Sequence, residues 1–208
     1  MKINIETLIS QLQGIAQTGL HYSKDIYDIE RYDQLKSITL KLIQELSNEP
    51  TEKIELFLDS DTGYATPKVD IRAVVFNENG HLLMVKEKSD SSWALPGGWA
   101  DIGYSAGEVA IKEVQEEAGI NVTTKQIIAV YDKFKRRYKP SLEYVYKFFI
   151  ECEFISGKIS PGLETSDVAY ISEEEFENLN ISLARNSIDD LKMLYNYYKN
   201  PSEKTLFD

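Results

Sequence analysis

With 208 residues, the chain can bury one good core and a small accessory unit, and a formal net charge of −11 at pH 7 argues against a general duplex-DNA binder, which needs clustered Lys and Arg. One cysteine excludes an intramolecular disulfide, and two histidines, His21 and His81, make a histidine-based triad unpersuasive. No apolar run approaches a membrane span and the first residues lack a secretory h-region, so a soluble cytoplasmic protein without membrane association is expected.

Residues 1–66 differ in texture from the remainder. Ile5, Leu8, Ile9, Leu12, Ile15 and Ala16 have helical spacing, and Leu35, Ile38, Leu42 and Leu46 predict a second amphipathic helix. Two helices alone bury little, so the pair needs a partner surface, either the rest of the chain or a second copy of itself. Gly63 to Pro67 reads as a linker to a second domain, residues 67–208.

Beyond the linker, β signals dominate: a strand over Val69–Asn77, a turn at Glu78-Asn79-Gly80, and a strand over Leu82–Glu87. Arg72 lies inside the first of these apolar runs. An unpaired buried charge there would be costly, so Arg72 either faces solvent or points into a pocket against a phosphate or an acid.

The sequence Gly97-Gly98-Trp99-Ala100-Asp101-Ile102-Gly103 then leads into a helix expected over about 106–118. Ser105 and Glu108 form a capping box, Ile111, Val114 and Ala118 give the core side, and Gly119 is a stop. Glu113, Glu116 and Glu117 fall within an arc of about 100°, on the side away from that core face. Such crowding costs a few tenths of a kcal/mol per pair and is commonly just a solvated face. As a ligand set, oxygen-rich and without histidine, it favours Mg2+ or Mn2+ over zinc.

Strands are expected over Ile120–Tyr131 and Leu142–Phe154, with the basic cluster Lys133, Lys135, Arg136, Arg137 and Lys139 in the hairpin loop between them, ahead of Pro140. That cluster is either a solvated loop or a phosphate or headgroup site that Asp132 helps to orient. Cys152, in the second strand, reads as a buried inert thiol. A loop follows, Pro161-Gly162-Leu163-Glu164, and then a helix around Ser187–Tyr198. The pattern is mixed α/β.

The spacing from Gly98 to Glu113, Glu116, Glu117, Gly119 and Ile120 resembles the Nudix hydrolase signature, with Tyr104 where the family has its first Glu and Lys112 where it has Arg. Lys112 cannot reproduce a bidentate fork, but Tyr104 also removes the carboxylate a fork would bind. The wording of the glycine loop is similar to a subgroup with a helical N-terminal extension. The resemblance covers roughly residues 68–200 and implies a mixed sheet between helices, with the acid helix beside a nucleotide pocket.

The resemblance further implies hydrolysis of the diphosphate linkage in a nucleoside diphosphate-X, CDP-choline to CMP and phosphocholine foremost. ADP-ribose or another NDP-sugar, 3′ trimming of short RNA, and a non-catalytic nucleotide sensor are the alternatives. It implies Mg2+ or Mn2+ on Glu113, Glu116 and Glu117, and catalytic work by Glu113, Glu117 and the loop residue Glu164. Substrate binding is expected from Arg72, Gly97, Gly98, Trp99, Lys112, Asp132, Lys135 and Arg136, with Trp99 offering a face to a base. The extension is read as a homodimerisation and substrate-capping unit.

Overall fold

The computed structural model describes residues 5–46, 54, 62–139, 141 and 143–208. The chain divides into two compact units, residues 1–67 with 141–144, and residues 68–140 with 145–208.

In the first unit, helix α1 (Ile5–Tyr22) packs on helix α2 (Ile26–Leu46). Asp25 starts α2, its carboxylate accepting from the backbone N–H of Tyr27 at 3.0 Å and of Asp28 at 3.2 Å. Gly19 lets the helices approach, since a Cβ there would lie 2.3 Å from the Tyr32 ring. Of the periodic apolar residues, Ile9 and Ala16 are buried; the buried residues of α2 are Thr39 and Ile43 rather than those expected, with Ile54 beside Ile9 and Ile43. Ile5, Leu8, Ile15, Ile38, Leu42 and Leu46 are exposed. Residues 1–4, 47–53 and 55–61 of the predicted extension lie outside the described residues.

The second unit holds two sheets. The mixed sheet has the order β1 (Lys68–Val75), β5 (Val145–Gly157), β4 (Ile120–Asp132) and β7 (Leu206–Phe207). Its β1/β5 and β4/β7 pairs are parallel and its β4/β5 pair is antiparallel. The second sheet is antiparallel, with β2 (Leu82–Glu87) between β3 (Trp93–Ala94) and β6 (Thr165–Ile171). Helices α3 (Ala106–Ala118), α4 (Glu173–Phe176) and α5 (Ile188–Lys199) complete the unit.

β1 is buried from Asp70 to Val75 because both of its faces are covered, and its buried charges Asp70 and Arg72 pair with each other. Ile71, Ala73 and Val75 share a cluster with Val109, Ala110, Val114 and Ala118 of α3. Val74 belongs to the other cluster, with Leu191, Leu194 and Tyr195 of α5. α3 and α5 therefore cover opposite sides, and the mixed α/β class is as expected. The predicted turn is present: the Asn77 carboxamide accepts from Asn79 N–H at 2.9 Å and His81 N–H at 3.0 Å, and Gly80 has φ 74°.

Several strand boundaries differ from expectation: β1 runs Lys68–Val75 rather than Val69–Asn77, and β5 differs most. The strand predicted from Leu142 begins at Val145, where pairing with Lys68 of β1 starts, and it continues to Gly157 opposite Ile120. Leu142 and Pro140 lie outside the described residues. Strands β3, β6 and β7 were not predicted: β3 and β7 have two residues each, and β6 opens on the polar run Thr165-Ser166-Asp167.

Candidate active site

The glycine loop runs back along the outer edge of β1. Ile71 N–H donates to the Gly98 carbonyl at 2.8 Å, Ala73 N–H to that of Pro96 at 2.9 Å, and Ala100 N–H to that of Val69 at 2.9 Å. Gly97 has φ 150°, and a Cβ there would fall 2.0 Å from the Ile71 carbonyl oxygen, so only glycine fits. A Cβ on Gly98 would sit 2.7 Å from Glu113 Oε1. The loop and the acid helix are thus in direct apposition.

α3 begins with the expected capping box, Ser105 accepting from Glu108 N–H at 3.3 Å and Glu108 Oε2 accepting from Ser105 N–H at 2.8 Å. It ends at Gly119, which has φ 73°. The three acids do not all face away from the core as expected. Glu116 is exposed and Glu113 half-buried, but Glu117 is buried, its Oε2 accepting from Gly97 N–H at 3.0 Å. The loop offers this amide as a partner, and that draws the carboxylate inward.

Burial pushes the Glu117 carboxyl up to about 8; Glu113 and Glu87 push the same way, while the Gly97 amide and Arg72 oppose the shift. Burial also raises Glu113, with the Glu116 and Glu164 charges adding to it. Glu164, exposed on the loop before β6, is therefore within electrostatic reach of the helix acids. A fifth acid of the group, Glu87 at the end of β2, is buried and 3.1 Å from Arg185 Nε.

Arg72 is buried and meets an acid. Its Nε and Nη2 donate to Asp70 at 3.1 and 2.7 Å, and its Nη1 to the Leu95 carbonyl at 3.2 Å. Burial works against its charge, and the carboxylates of Glu117, Glu87 and Glu113 favour it. Lys147 contacts Asp70 from the neighbouring strand. Burial pushes the Lys147 ammonium down to about 7, opposed by the Asp190 carboxylate and reinforced by the Arg185 charge. Asp70, Arg72 and Lys147 form a buried charged floor next to the acid helix.

Lys112 pairs with Asp101 of the glycine loop at 3.0 Å and lies 5.5 Å from the Tyr104 ring centroid. Asp101 thus supplies the carboxylate that Tyr104 does not. Trp99 is 48% exposed, with Lys68 Nζ 5.5 Å from its ring centroid.

The basic loop contacts other groups. Lys133–Lys135 form a 3-10 turn capped by Asp132, whose carboxylate accepts from Phe134 N–H. Arg136 lies 3.6 Å above the Tyr131 ring and 2.6 Å from Asp208, while Lys135 is exposed. The loop reaches the charged floor through Tyr138, whose ring centroid is 5.2 Å from Lys147 Nζ and whose hydroxyl bonds to Asp190.

Among the described residues, no group of three or more His, Cys, Asp or Glu is drawn together as an ion would hold them. The donor chemistry nevertheless fits a hard divalent cation. All the donors are carboxylates, and the buried, mutually repelling Glu117 and Glu113 are a pair whose charge a cation would neutralise. Asp70, Glu87, Lys147 and Arg185 were not expected as site residues: Lys147–Asp70 and Arg185–Glu87 join positions 77 and 98 apart on different elements, and only the Asp70–Arg72 spacing is local.

A glycine loop laid against an acid helix, on a sheet packed between helices, is the arrangement that the Nudix resemblance implies for a hydrolase of phosphorus anhydrides. The chain belongs to the Nudix family: the "NUDIX domain" model matches residues 66–194, and a model for a "UDP-X-like, N-terminal oligomerisation domain" matches residues 5–58. A Bacillus subtilis (strain 168) protein named putative ADP-ribose pyrophosphatase YjhB is 38% identical over 198 residues, 95% of this chain and 94% of that protein. A crystal structure of an ADP-ribose pyrophosphatase from Streptococcus suis 89-1591 matches with a TM-score of 0.61 at 34% identity, covering 69% of this chain and 100% of that one. A crystal structure of a UDP-X diphosphatase matches with a TM-score of 0.62 at 27% identity over 96% of both chains.

Proposed function

We propose that this Nudix hydrolase cleaves the diphosphate linkage of a nucleoside diphosphate-X with the help of Mg2+ or Mn2+. The observation that carries the reading is the Glu117 carboxylate, buried against the Gly97 amide and crowded by Glu113 and Glu87. Glu113, Glu116 and Glu117 would hold the cation, which when bound supplies charge neutralisation at the diphosphate and a lower pKa for an attacking water.

The chain's own residues account for the remaining work. Gly98 lets the diphosphate approach the loop backbone beside Glu113 without a Cβ in the way, while Gly97 contributes the amide that holds Glu117. Trp99 offers an exposed face for a base, and Lys112 balances leaving-group charge. Asp132, Lys135 and Arg136 serve as headgroup contacts. Arg72 serves as a counter-charge under the acids, since its Asp70 and Leu95 contacts occupy the guanidinium. Glu164 takes the proton of the water, whose oxygen bonds one phosphorus in line. The bridging P–O bond breaks, its electron pair stays with the departing phosphate, and a nucleoside monophosphate and a phosphorylated X result.

CDP-choline is the substrate implied by the subgroup resemblance, and the relatives' names favour ADP-ribose, the alternative that the same resemblance implies. Residues 1–66 act as a homodimerisation and substrate-capping unit, and residues 67–208 carry the chemistry. The test is incubation with Mg2+ or Mn2+ and CDP-choline, CDP-ethanolamine, ADP-ribose or a short RNA, with products resolved by chromatography. Cation-dependent release of CMP and phosphocholine, or of AMP and ribose 5-phosphate, lost in Glu116→Gln, is expected. No turnover of any of the four by the wild type contradicts the reading.

A further inference from the structure

We infer that Lys88 is a positioning residue for hydrolysis, acting through Glu164; the inference rests on the catalytic reading of Glu164 given above. Lys88 directly follows β2 and turns its side chain onto the loop opposite. Its Nζ donates to the Leu163 carbonyl at 2.7 Å and to the Gly162 carbonyl at 3.3 Å, and its backbone N–H donates to the Glu164 carbonyl at 2.9 Å. One residue thereby holds three successive carbonyls of the segment that presents Glu164.

The other side of the same segment is fixed by α3. Thr165 Oγ1 accepts from Gly162 N–H at 2.7 Å and donates to the Glu117 carbonyl at 2.8 Å. Gly162 lies so close to the helix that a Cβ there would fall 1.8 Å from the Glu116 carbonyl oxygen. The loop is held between the acid helix and Lys88, and the Glu164 charge registers at both Glu113 and Glu87.

Lys88 is exposed, and an exposed ammonium adds little to global stability. Its consequence is local: it sets the position of the Glu164 main chain over α3. Displacing a reacting group by about 1 Å can cost up to about 100-fold in rate. Lys88→Met keeps the backbone bond and most of the stem but deletes both side-chain bonds, whereas Lys88→Arg can still reach the carbonyls.

The experiment measures kcat, KM and the unfolding midpoint for wild type, Lys88→Met, Lys88→Arg, Glu164→Gln and the Lys88→Met/Glu164→Gln double variant. Lys88→Met is expected to lower kcat about tenfold, with KM changed by less than about twofold and the midpoint unmoved, and Lys88→Arg to recover most of the loss. In the Glu164→Gln background, Lys88→Met should add nothing. Equal proportional losses in both backgrounds, or a kcat loss that tracks a lowered midpoint, overturn the positioning role while leaving the hydrolytic reading intact. Full kcat in Glu164→Gln removes Glu164 from the reaction and this inference with it. Absence of hydrolysis by the wild type overturns the functional reading itself.

Discussion

Adjacent glycines in the loop carry different constraints. Gly97 has φ 150° and backbone in the way of a Cβ, so Gly97→Ala must displace β1 or the loop, and a loss of about 2 kcal/mol or more is expected in denaturant unfolding. Gly98 faces the movable end of Glu113, so Gly98→Ala should leave the unfolding midpoint nearly unchanged while lowering kcat. Cys152 gives a pH prediction of known sign. Burial pushes its thiol up to about 12, so the folded protein retains a proton that the unfolded chain releases near 9. The stabilisation is complete below about pH 9 and is lost as pH rises towards 12. At pH 8 the native thiol should resist alkylation by iodoacetamide and react once the chain is unfolded in urea; rapid native labelling would contradict its burial.

Among the elements, α3 was the most legible in the sequence, because its signals are local. The capping box, the core positions Val114 and Ala118 and the Gly119 stop all lie within 15 residues of one another and agree with the structure, while the expected core residue Ile111 is only partly buried. Ser105→Ala removes one half of that box and is expected to cost about 1 kcal/mol in denaturant unfolding. The depth of Glu117 was not legible. Helical period places the three acids on one stripe, but the amide that draws Glu117 inward belongs to Gly97, 20 positions away. Arg72 was legible only in part: its burial made a partner necessary, and the partner, Asp70, is two residues away on the same face of β1. β6 escaped notice because its alternation is weak and its edge is completed by β2.

For the whole molecule, the exposed Leu8, Ile15, Ile38 and Leu42 of the first unit make self-association the expected state in solution. Sedimentation should give a dimer, and Leu8→Asp with Leu42→Asp should yield a monomer that keeps its far-UV helical signal. A wild-type monomer at micromolar concentration contradicts the proposed homodimer. In the described residues no helix is long and apolar enough to cross a membrane.

The central claim is that cation-supported hydrolysis depends on the carboxylates of α3. It is tested most directly by the initial rate of hydrolysis of the best nucleoside diphosphate-X, measured against Mg2+ concentration for wild type and Glu117→Gln. The account predicts no rate in EDTA, saturable activation of the wild type, and a kcat at least about 100-fold lower in Glu117→Gln at saturating Mg2+. Wild-type hydrolysis that persists in EDTA, or a Glu117→Gln variant with an unchanged Mg2+ dependence and rate, would contradict it.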